Sequence, residues 1–583
     1  MRYKILAQLY EEISSTTKRL EKTKILSKFL NTLSKEDRDI LYLLEGNIYP
    51  DYDERRIGIS NQLAIKAISK ATGTPPEKVT KEWKTIGDLG LVAEKLTKTK
   101  KQSTLSSHII NIKKVIDNLR KLPELQGKGT VSKKLQLITE LLTSASPIEA
   151  KYLVRTLIGD LRIGIQESTI RESMAKAFFK NPKEAAEIVQ RAIDKSNDSA
   201  EIFDIARKGK LSELKKVNLE VGKPIKAMLA QKVETIEDGF KALGTPCAVE
   251  YKYDGFRLLI HKKNNKINLF TRRLENVTKQ FPEVVEYINK FIKGNSFIMD
   301  SEAVGYDKKT KKYQQFQKIS QRIRRKYNIE EMSKKLPVEI NVFDILYYNG
   351  KSQLDEPFKK RSELIRKIVT NHPYKLIYSK QIITSNVKKA KKFYKQALRD
   401  KQEGVMLKKL EAEYKPGRRV GHMLKIKPDE RDLDLVITGA EYGTGKRSGW
   451  MSSFIISCKG KSKDEYLELG KVGTGIKEKT EQGISFEQLT KLLKPLIKKE
   501  SGKNVELKPK IVVAVHYQEV QRSPNYKSGF ALRFPRFTAL RQDKPLKEIA
   551  TLDEVADDFN KQSNSWRYGW NFPNQTLYKG KIL

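Results

Sequence analysis

The amino-acid sequence predicts a multidomain chain with three parts: an all-α region over residues 1–220, an α+β core over 221–428, and a small β-barrel with a C-terminal tail over 429–583. The length of 583 residues is too great for one hydrophobic core. Apolar residues change from helical to alternating spacing near Gly222, and beyond residue 428 glycine-bearing turns separate short apolar runs.

The first part is expected to be helical nearly throughout. Leu6, Leu9 and Ile13 recur at roughly helical spacing between charged residues, and residues 150–179 repeat that pattern. Glycine and proline are sparse here, and strand-like alternation is rare. The pattern indicates a helical domain with a polar surface and does not by itself indicate an activity.

The second and third parts are expected to contain strands. Alternating apolar runs flank Asn264-Asn265, which is the signature of a β-hairpin, and helical stretches at 282–291 and 359–370 indicate a mixed core. The strand-like runs of the third part, which are typical of a small barrel, lie at 433–438, 454–458, 466–469 and 511–517.

The charge balance favours a polyanionic partner. Lysine and arginine number 115 against 71 aspartate and glutamate, a formal net charge of +44. Such a surplus attracts nucleic acid more than small acidic molecules. The alternative is a lysine-rich proteome, in which solvated helix faces simply carry lysine.

Several classes of protein are excluded by what the sequence lacks. The start shows no secretory signal, and no run of about 20 apolar residues could cross a bilayer. Cys247 and Cys458 have no metal-ligand spacing and form no disulfide framework. We therefore expect a soluble, cytoplasmic protein without a membrane partner.

Residues 439–448, GAEYGTGKRS, resemble a phosphate-binding P-loop only superficially. The P-loop needs a glycine five residues before Gly445, where this chain has Ala440. It also needs serine or threonine after the lysine, where this chain has Arg447. Residues that bind phosphate are therefore expected in another part of the chain.

The candidate nucleophile is Lys252, in the segment EYKYDGFR at 250–257. The lysine lies between two tyrosines at the end of a predicted strand, before an Asp-Gly turn. An ammonium cannot attack phosphorus, but nearby cations and partial burial can lower the pKa of a lysine until it is neutral. The quartet is short and lysine is abundant, so this signal is weak alone.

Five further segments follow in order, and they carry carboxylates, cations or an apolar strand. Singly, each could be a solvated edge or a core residue. They are residues 271–276 (TRRLEN), 297–302 (FIMDSE), 342–350 (VFDILYYNG), 403–408 (EGVMLK) and 423–427 (MLKIK).

Together and in this order, these segments resemble the nucleotidyltransferase superfamily of DNA ligases and mRNA capping enzymes. The resemblance is strongest to archaeal and eukaryotic ATP-dependent DNA ligases and covers nearly the whole chain. It implies an all-α DNA-binding domain, an α+β adenylation core and a C-terminal OB-fold barrel. It also implies sealing of 5′-phosphate/3′-hydroxyl nicks in replication, repair and recombination, through a lysyl-AMP intermediate and adenylated DNA.

The resemblance also assigns roles to individual residues. It implies that Lys252 is the adenylated lysine, that the cofactor is ATP, and that Glu302 and Glu403 bind Mg²⁺, with Mn²⁺ as a substitute. Arg533–Arg536 and Arg541–Lys544 resemble the last motif of the family, on the barrel. The residues implied to bind the nucleotide are Glu250, Arg257, Arg272, Glu302, Phe343, Arg419, Lys425 and Lys427.

The implied partner is nicked double-stranded DNA, held by a monomer that is nucleoid-associated. Gln102–Ile109 resembles a peptide that binds the sliding clamp, although a plain polar loop explains it equally well. A hinge is expected near Pro428–Asp432.

Two rival functions remain open at this point. An RNA ligase or capping-type nucleotidyltransferase shares the lysine motif but generally lacks a large helical region such as residues 1–220. A non-catalytic DNA-binding scaffold has no use for Lys252 and its matched carboxylates.

Overall fold

The structure is a computed structural model that describes residues 1–99, 109–127, 129–314, 316–323, 327–428, 431–462 and 464–564. It divides into two compact units, one formed by Met1–Thr80 with Leu89–Pro428 and the other by Lys81–Asp88 with the described chain after Pro428. Most of the segment predicted to bind a clamp, at 102–108, lies outside the described residues. No helix within these ranges is long and apolar enough to cross a membrane.

The N-terminal region is helical, as predicted. Leu6, Leu9 and Ile13 all lie on the buried face of the first helix. Its helices are α1 (Tyr3–Ser14), α2 (Arg19–Leu30), α3 (Ile40–Leu44), α4 (Asn61–Thr72), α5 (Pro76–Ile86), α6 (Leu89–Lys98), α7 (Ile112–Glu124), α8 (Thr130–Ser144), α9 (Pro147–Leu157), α10 (Glu167–Phe178), α11 (Pro182–Ser196), α12 (Ser199–Ala206) and α13 (Leu211–Lys215).

Local sequence explains where several of these helices begin and end. α4 begins after Ser60, whose side chain accepts a hydrogen bond from the Leu63 N–H, and ends at Gly73 with φ +66°. α9 begins with a capping box formed by Ser146 and Glu149. Such caps satisfy N–H groups that have no partner within the helix.

The core that follows is a mixture of helices and strands. The predicted hairpin around Asn264 is confirmed, with φ +54° at that residue. The elements are β1 (Leu229–Lys232), α14 (Ile236–Leu243), β2 (Cys247–Lys252), β3 (Phe256–Lys263), β4 (Lys266–Thr271), α15 (Pro282–Phe291), β5 (Ser296–Tyr306), β6 (Tyr313–Gln314), α16 (Phe316–Ile323), α17 (Ile329–Lys335), β7 (Val338–Tyr348), β8 (Lys351–Ser352), α18 (Phe358–Ile368), β9 (Leu376–Tyr378), β10 (Gln381–Thr384), α19 (Val387–Arg399), β11 (Gly404–Lys408) and β12 (Arg419–Ile426).

The strands of the core form two sheets. One sheet has the order β1-β12-β11-β2-β10, and the other has the order β4-β3-β5-β7-β8, with β6 on β5 and β9 on β7. A hydrophobic cluster lies between the first sheet and α14 and α19, and includes Tyr251 and Leu407. The second sheet packs on α15 and α18 through residues such as Phe281 and Ile365.

The C-terminal region is rich in strands, as predicted. Its elements are β13 (Arg431–Tyr442), β14 (Met451–Lys459), β15 (Tyr466–Val472), α20 (Phe486–Leu493), β16 (Ile497–Ser501), β17 (Asn504–Leu507), β18 (Val512–Tyr517), β19 (Glu519–Arg522), β20 (Phe530–Arg533), β21 (Arg536–Leu540) and α21 (Leu552–Asn564). Phe454 and Phe486 are fully buried in its core.

The predicted closed barrel is not seen in the strand pairing of this described region. The sheet runs β15-β14-β13-β17-β16, and β18 pairs with both β13 and β21. The physical reason is that β19 and β20 pair only with each other and do not join the strands at the edges of the sheet. The result is a sheet with open edges beside a separate two-stranded ribbon.

Candidate active site

The first wall of the candidate site is formed by β2, β11 and β12. Glu250 and Lys252 lie two residues apart in β2 and therefore project from the same face of the sheet. In the pairing register, Lys252 lies opposite Gly404, and Met406 lies opposite both Glu250 and Lys425. Three consecutive strands thus present their polar residues to one pocket.

Lys252 is held by Glu403, which also holds a second lysine. The Oε2 atom of Glu403 lies 2.6 Å from Lys252 Nζ and 2.5 Å from Lys427 Nζ. Burial would raise the pKa of Glu403, but the charges of the two lysines and their hydrogen bonds outweigh burial and lower it to about 2. In this arrangement Lys252 and Lys427 share one carboxylate.

The backbone at Gly404 permits this arrangement. Gly404 has φ +145°, and a Cβ at this position would collide with the carbonyl oxygen of Ile426 on β12. The preceding residue, Glu403, donates its backbone N–H to the Lys252 carbonyl at 2.9 Å. Glycine therefore allows β11 to approach β12 closely, directly after the carboxylate that binds both lysines.

Lys425 adds a further cation to the same wall. It is half-buried, and its pKa is lowered first by burial and then by the charges of Lys427, Lys252 and Arg419. Arg419 is exposed at the start of β12. Such a concentration of positive charge, with one carboxylate to offset it, suits a ligand with several negative charges.

Glu250 is buried at another part of this wall. Its two carboxylate oxygens accept hydrogen bonds from Lys408 Nζ at 2.7 Å and from Gln381 Nε2 at 2.8 Å. Lys408 Nζ also lies 5.0 Å from the centroid of the Phe343 ring. A buried acceptor beside an aromatic face can bind a planar ring that carries an amino group.

The second wall is formed by β3, β5 and β7. Arg257 and Asp300 form a two-point ion pair, with Nε 2.5 Å from Oδ1. Tyr414 donates its hydroxyl to Asp300 Oδ2 at 2.9 Å, and Arg257 donates to that hydroxyl oxygen at 2.5 Å. Because Asp300 is fully buried, these contacts fix Arg257, whose guanidinium lies 5.8 Å from the centroid of the Phe343 ring.

Glu302 lies opposite Arg257 in the β3–β5 register. Burial raises its pKa to about 8, and the charges of Glu403 and Asp254 add to this effect against those of Lys252 and Arg257. The structure gives Glu302 no ion-pair partner within the described chain. Glu302 is therefore a half-buried carboxyl group that lacks a cation.

Glu302 and Glu403 fit a hard divalent cation by their chemistry. They are close enough for the charge of Glu403 to raise the pKa of Glu302. The described residues contain no group of three or more acidic, histidine or cysteine side chains that could hold a metal ion. Two carboxylates suit Mg²⁺ when phosphate oxygens and water complete the shell.

Two of the predicted site residues lie at the margins of the candidate active site. Arg419 is exposed but acts electrostatically on Lys425. Arg272 is exposed in the turn after β4, and the described residues give it no ion pair with the other site residues. The structure brings together the remaining members of the predicted set: Glu250, Lys252, Arg257, Glu302, Phe343, Glu403, Lys425 and Lys427.

Sequence reasoning missed Gln381 and Tyr414 and assigned no role to Lys408. Gln381 lies 131 positions from Glu250, and Tyr414 lies 157 positions from Arg257. Neither residue belongs to a recognisable local pattern. Lys408 does lie in the segment at 403–408, so its place in the same segment as Glu403 was the available signal.

In the C-terminal region, Asp434 binds two cations of the predicted last motif. Arg541 lies 3.0 Å from its Oδ1, and Lys544 lies 2.7 Å from its Oδ2. Arg533 is paired with Glu519 at 2.8 Å. These cations are therefore held within the region itself.

Three family models match successive parts of the chain. Residues 2–175 match the DNA ligase N terminus, residues 227–427 the ATP dependent DNA ligase domain, and residues 447–544 the ATP dependent DNA ligase C terminal region. A DNA ligase from Nanoarchaeum equitans is 44% identical over 564 residues, which cover 96% of this chain and 99% of that protein.

The chain belongs to the ATP-dependent DNA ligase family.

Further comparisons agree with this membership. A DNA ligase from Thermococcus fumicolans is 40% identical over 565 residues, covering 96% of this chain and 99% of that ligase. The fold is similar to that of the solved structure Pmar-Lig_PreS3, with a TM-score of 0.56 and 19% identity over 92% of this chain and 99% of that one. The prediction of an ATP-dependent DNA ligase is confirmed, and the capping-enzyme and RNA-ligase alternatives find no support among these relatives.

Proposed function

We propose that this ligase seals nicks between a 5′-phosphate and a 3′-hydroxyl in duplex DNA and that Lys252 carries AMP between the steps. The observation that carries the proposal is the position of Lys252. It is the lysine that shares the carboxylate of Glu403 with Lys427, next to Lys425, in a pocket that also contains a buried acceptor and an aromatic face.

Binding of ATP is supported by the two ends of this pocket. The carboxylate of Glu250 can accept from the amino group of adenine, and the ring of Phe343 can stack on the base. Lys425 and Lys427 can bind phosphate oxygens by charge. This arrangement would bring the α-phosphate toward Lys252.

In the first step, the neutral amine of Lys252 attacks the α-phosphorus. The N–P bond forms, the bond between the α-phosphorus and the bridging oxygen of pyrophosphate breaks, and the attacking nitrogen gives its extra proton to solvent. Lys425, Lys427 and Arg257 offset the charge that develops on the phosphates, so positioning and electrostatics supply most of the acceleration. Glu302 and Glu403 would hold Mg²⁺, or Mn²⁺ in its place, which supplies further neutralisation of phosphate charge.

The two later steps transfer AMP and then release it. An oxygen of the 5′-phosphate at the nick attacks the phosphorus of lysyl-AMP, the N–P bond breaks, and Lys252 regains a proton. The 3′-hydroxyl then attacks the activated 5′-phosphate, loses its proton, and AMP leaves. One phosphodiester bond is formed for each ATP that is cleaved to AMP and pyrophosphate.

The proposal also assigns a role to each region of the chain. We assign DNA binding to the helical region over 1–220, adenylation to 221–428 and an OB-fold to 429–583, in a monomer. The division of the chain at Pro428 supports the second of these boundaries. Clamp binding through Gln102–Ile109 and association with the nucleoid stay predictions.

The test is incubation with α-labelled ATP and Mg²⁺, followed by a denaturing gel. We expect a covalent label on the wild type that nicked duplex DNA discharges and nicked RNA does not. Lys252→Ala should abolish the label, and so should Lys252→Arg, because a guanidinium stays protonated.

The matched control is Lys232→Ala, an exposed lysine on the adjacent strand β1, which should keep the label. A label that survives in Lys252→Ala would overturn the assignment of the nucleophile. Discharge by nicked RNA alone would overturn the assignment of the substrate.

A further inference from the structure

Helix α19 carries an unusual concentration of positive charge. Its 13 residues, VKKAKKFYKQALR, include five lysines and one arginine and no acidic residue. No other helix in the described parts of the chain has five or more cations without an acidic residue. The helix therefore differs from its neighbours in charge pattern and not only in lysine content.

Five of the six cations form one stripe along the helix. They are spaced at i, i+3, i+4, i+7 and i+11, which places them on one face within an arc of about 100° and over a length of about 16 Å. All five are exposed. The cations of this stripe are Lys388, Lys391, Lys392, Lys395 and Arg399.

Within the described residues, one ion pair offsets the charge of the stripe. Lys391 pairs with Glu237 of α14 at 2.5 Å. The structure gives the other four cations no ion pair within the described chain. Like charges at i, i+3 and i, i+4 repel each other and destabilise a helix, so this pattern favours an external anion over self-contained pairing.

The stripe faces away from the adenylation pocket. The opposite side of α19 is buried, through Ala390 and Ala397, in the cluster that also contains Tyr251. The rings of Tyr251 and Phe393 lie 4.9 Å apart. Because side chains alternate along β2, Lys252 projects from the other face of the sheet.

We propose that the α19 stripe binds the phosphate backbone of a second segment of duplex DNA, distinct from the nicked segment at the adenylation pocket. The inference rests on the proposed function, since it takes the nick to lie at the face of Lys252. Over the length of the stripe, about 16 Å, a duplex that carries a charge about every 1.7 Å of its axis presents roughly nine phosphates to these cations.

An anionic membrane is a weaker alternative. A helix that lies on a membrane needs a free apolar face to insert. The apolar face of α19 is already covered by the core. Contacts to phosphates alone carry no base sequence, so the second segment can be any duplex.

The experiment uses the full-length protein with Lys388, Lys392, Lys395 and Arg399 all changed to glutamine. Glutamine is a good helix former, and these side chains are exposed, so the helix should form. Enzyme saturated with a short nicked duplex is then offered a labelled intact duplex. The fraction of label captured in the ternary complex is measured over a range of salt concentrations.

We expect the wild type to capture the second duplex, with a steep salt dependence. In the quadruple variant, the slope of log affinity against log salt should fall by roughly 3 to 4, because each lost phosphate contact contributes about 0.9. Self-adenylation and sealing of the short duplex should be unchanged. If self-adenylation fails in the wild type, the proposed function fails and not the second site.

A matched pair of single variants sharpens the test. Lys392→Gln removes a cation of the stripe, whereas Lys389→Gln removes an exposed cation of the same helix that lies outside it. The proposal predicts a loss of about 0.9 in slope for the first and almost none for the second. Equal losses of slope in the two single variants would overturn the proposal. So would an unchanged ternary complex in the quadruple variant, or tighter capture of RNA or anionic vesicles than of duplex DNA.

Discussion

The two walls of the candidate active site use the same residue type in opposite ways. On the wall of β2, β11 and β12, Glu403 is bound to two lysines and its pKa is lowered to about 2. On the wall of β3 and β5, the described residues give Glu302 no such partner, and burial raises its pKa to about 8. Both carboxyl groups lie near Lys252, so the difference arises from their immediate neighbours.

The lysines of the first wall already have a carboxylate partner, whereas a carboxyl group of the second wall has no ion pair in the described chain. Glu403 offsets Lys252 and Lys427 before any ligand is present. The other wall buries its paired charges, Arg257 and Asp300, and the described residues give Glu302 no ion pair. We infer that the first wall is prepared for phosphate and that Glu302 adds the second carboxyl group of the proposed metal pair.

The largest effect on stability is expected from Asp300→Asn. Asp300 is fully buried and binds Arg257 and Tyr414, so its loss leaves a guanidinium without a counter-ion. Breaking a buried pair from one side costs about 3–5 kcal/mol. The free energy of unfolding, measured by urea denaturation, should fall by that amount. A change below about 1 kcal/mol would mean that this ion pair does not support the second wall.

Glu403→Gln is expected to destabilise the ligand-free enzyme by about 2–3 kcal/mol at pH 7, after allowance for partial exposure. The folded-state pKa of Glu403 is about 2, below its ordinary value of 4.5. Its contribution to stability is therefore present above about pH 4.5 and is lost as the pH falls through about 2. Unfolding measured between pH 3 and pH 8 should show the cost of the substitution shrinking toward acid.

Glu302→Gln is expected to change stability in the opposite direction, making the metal-free enzyme more stable. The folded-state pKa of Glu302 is about 8, above the ordinary 4.5, so the wild type loses stability as the pH rises through about 8. The metal-free variant should be more stable than wild type by about 1–2 kcal/mol at pH 9, and equal to it below about pH 4.5. Destabilisation by both glutamate variants at pH 9 would remove the contrast between the two walls.

Tyr414→Phe should have the smallest effect. It removes the hydroxyl that bridges Asp300 and Arg257 but leaves their direct ion pair in place. The expected loss of stability is about 1 kcal/mol. The cost should disappear in an Asp300→Asn background, and a double-mutant cycle measures this coupling.

The sequence predicted neighbours within one strand better than contacts between strands, for a physical reason. Glu250 and Lys252 are neighbours on one strand, so local alternation places them together. The partners of Glu250, Lys408 and Gln381, come from two other strands and are joined to it only by the fold. The same holds for Tyr414, which reaches Arg257 from a loop 157 positions away.

In the C-terminal region, too, local sequence patterns predicted the strands but not the pairing between distant strands. Its strands were predicted from local apolar runs and glycine-bearing turns, and they are present. Closure of a barrel depends on pairing between strands that are distant in sequence, which local patterns do not specify. In the described region β19 pairs with its neighbour β20, and the predicted closure is absent.

The role of Lys252 as the nucleophile of the first wall is tested most directly by locating the residue that carries AMP. The enzyme is incubated with ATP and Mg²⁺, digested under conditions that preserve the phosphoramidate bond, and analysed by tandem mass spectrometry. We expect AMP on Lys252 alone. AMP on Lys408, Lys425 or Lys427, the other lysines of the same wall, would contradict it.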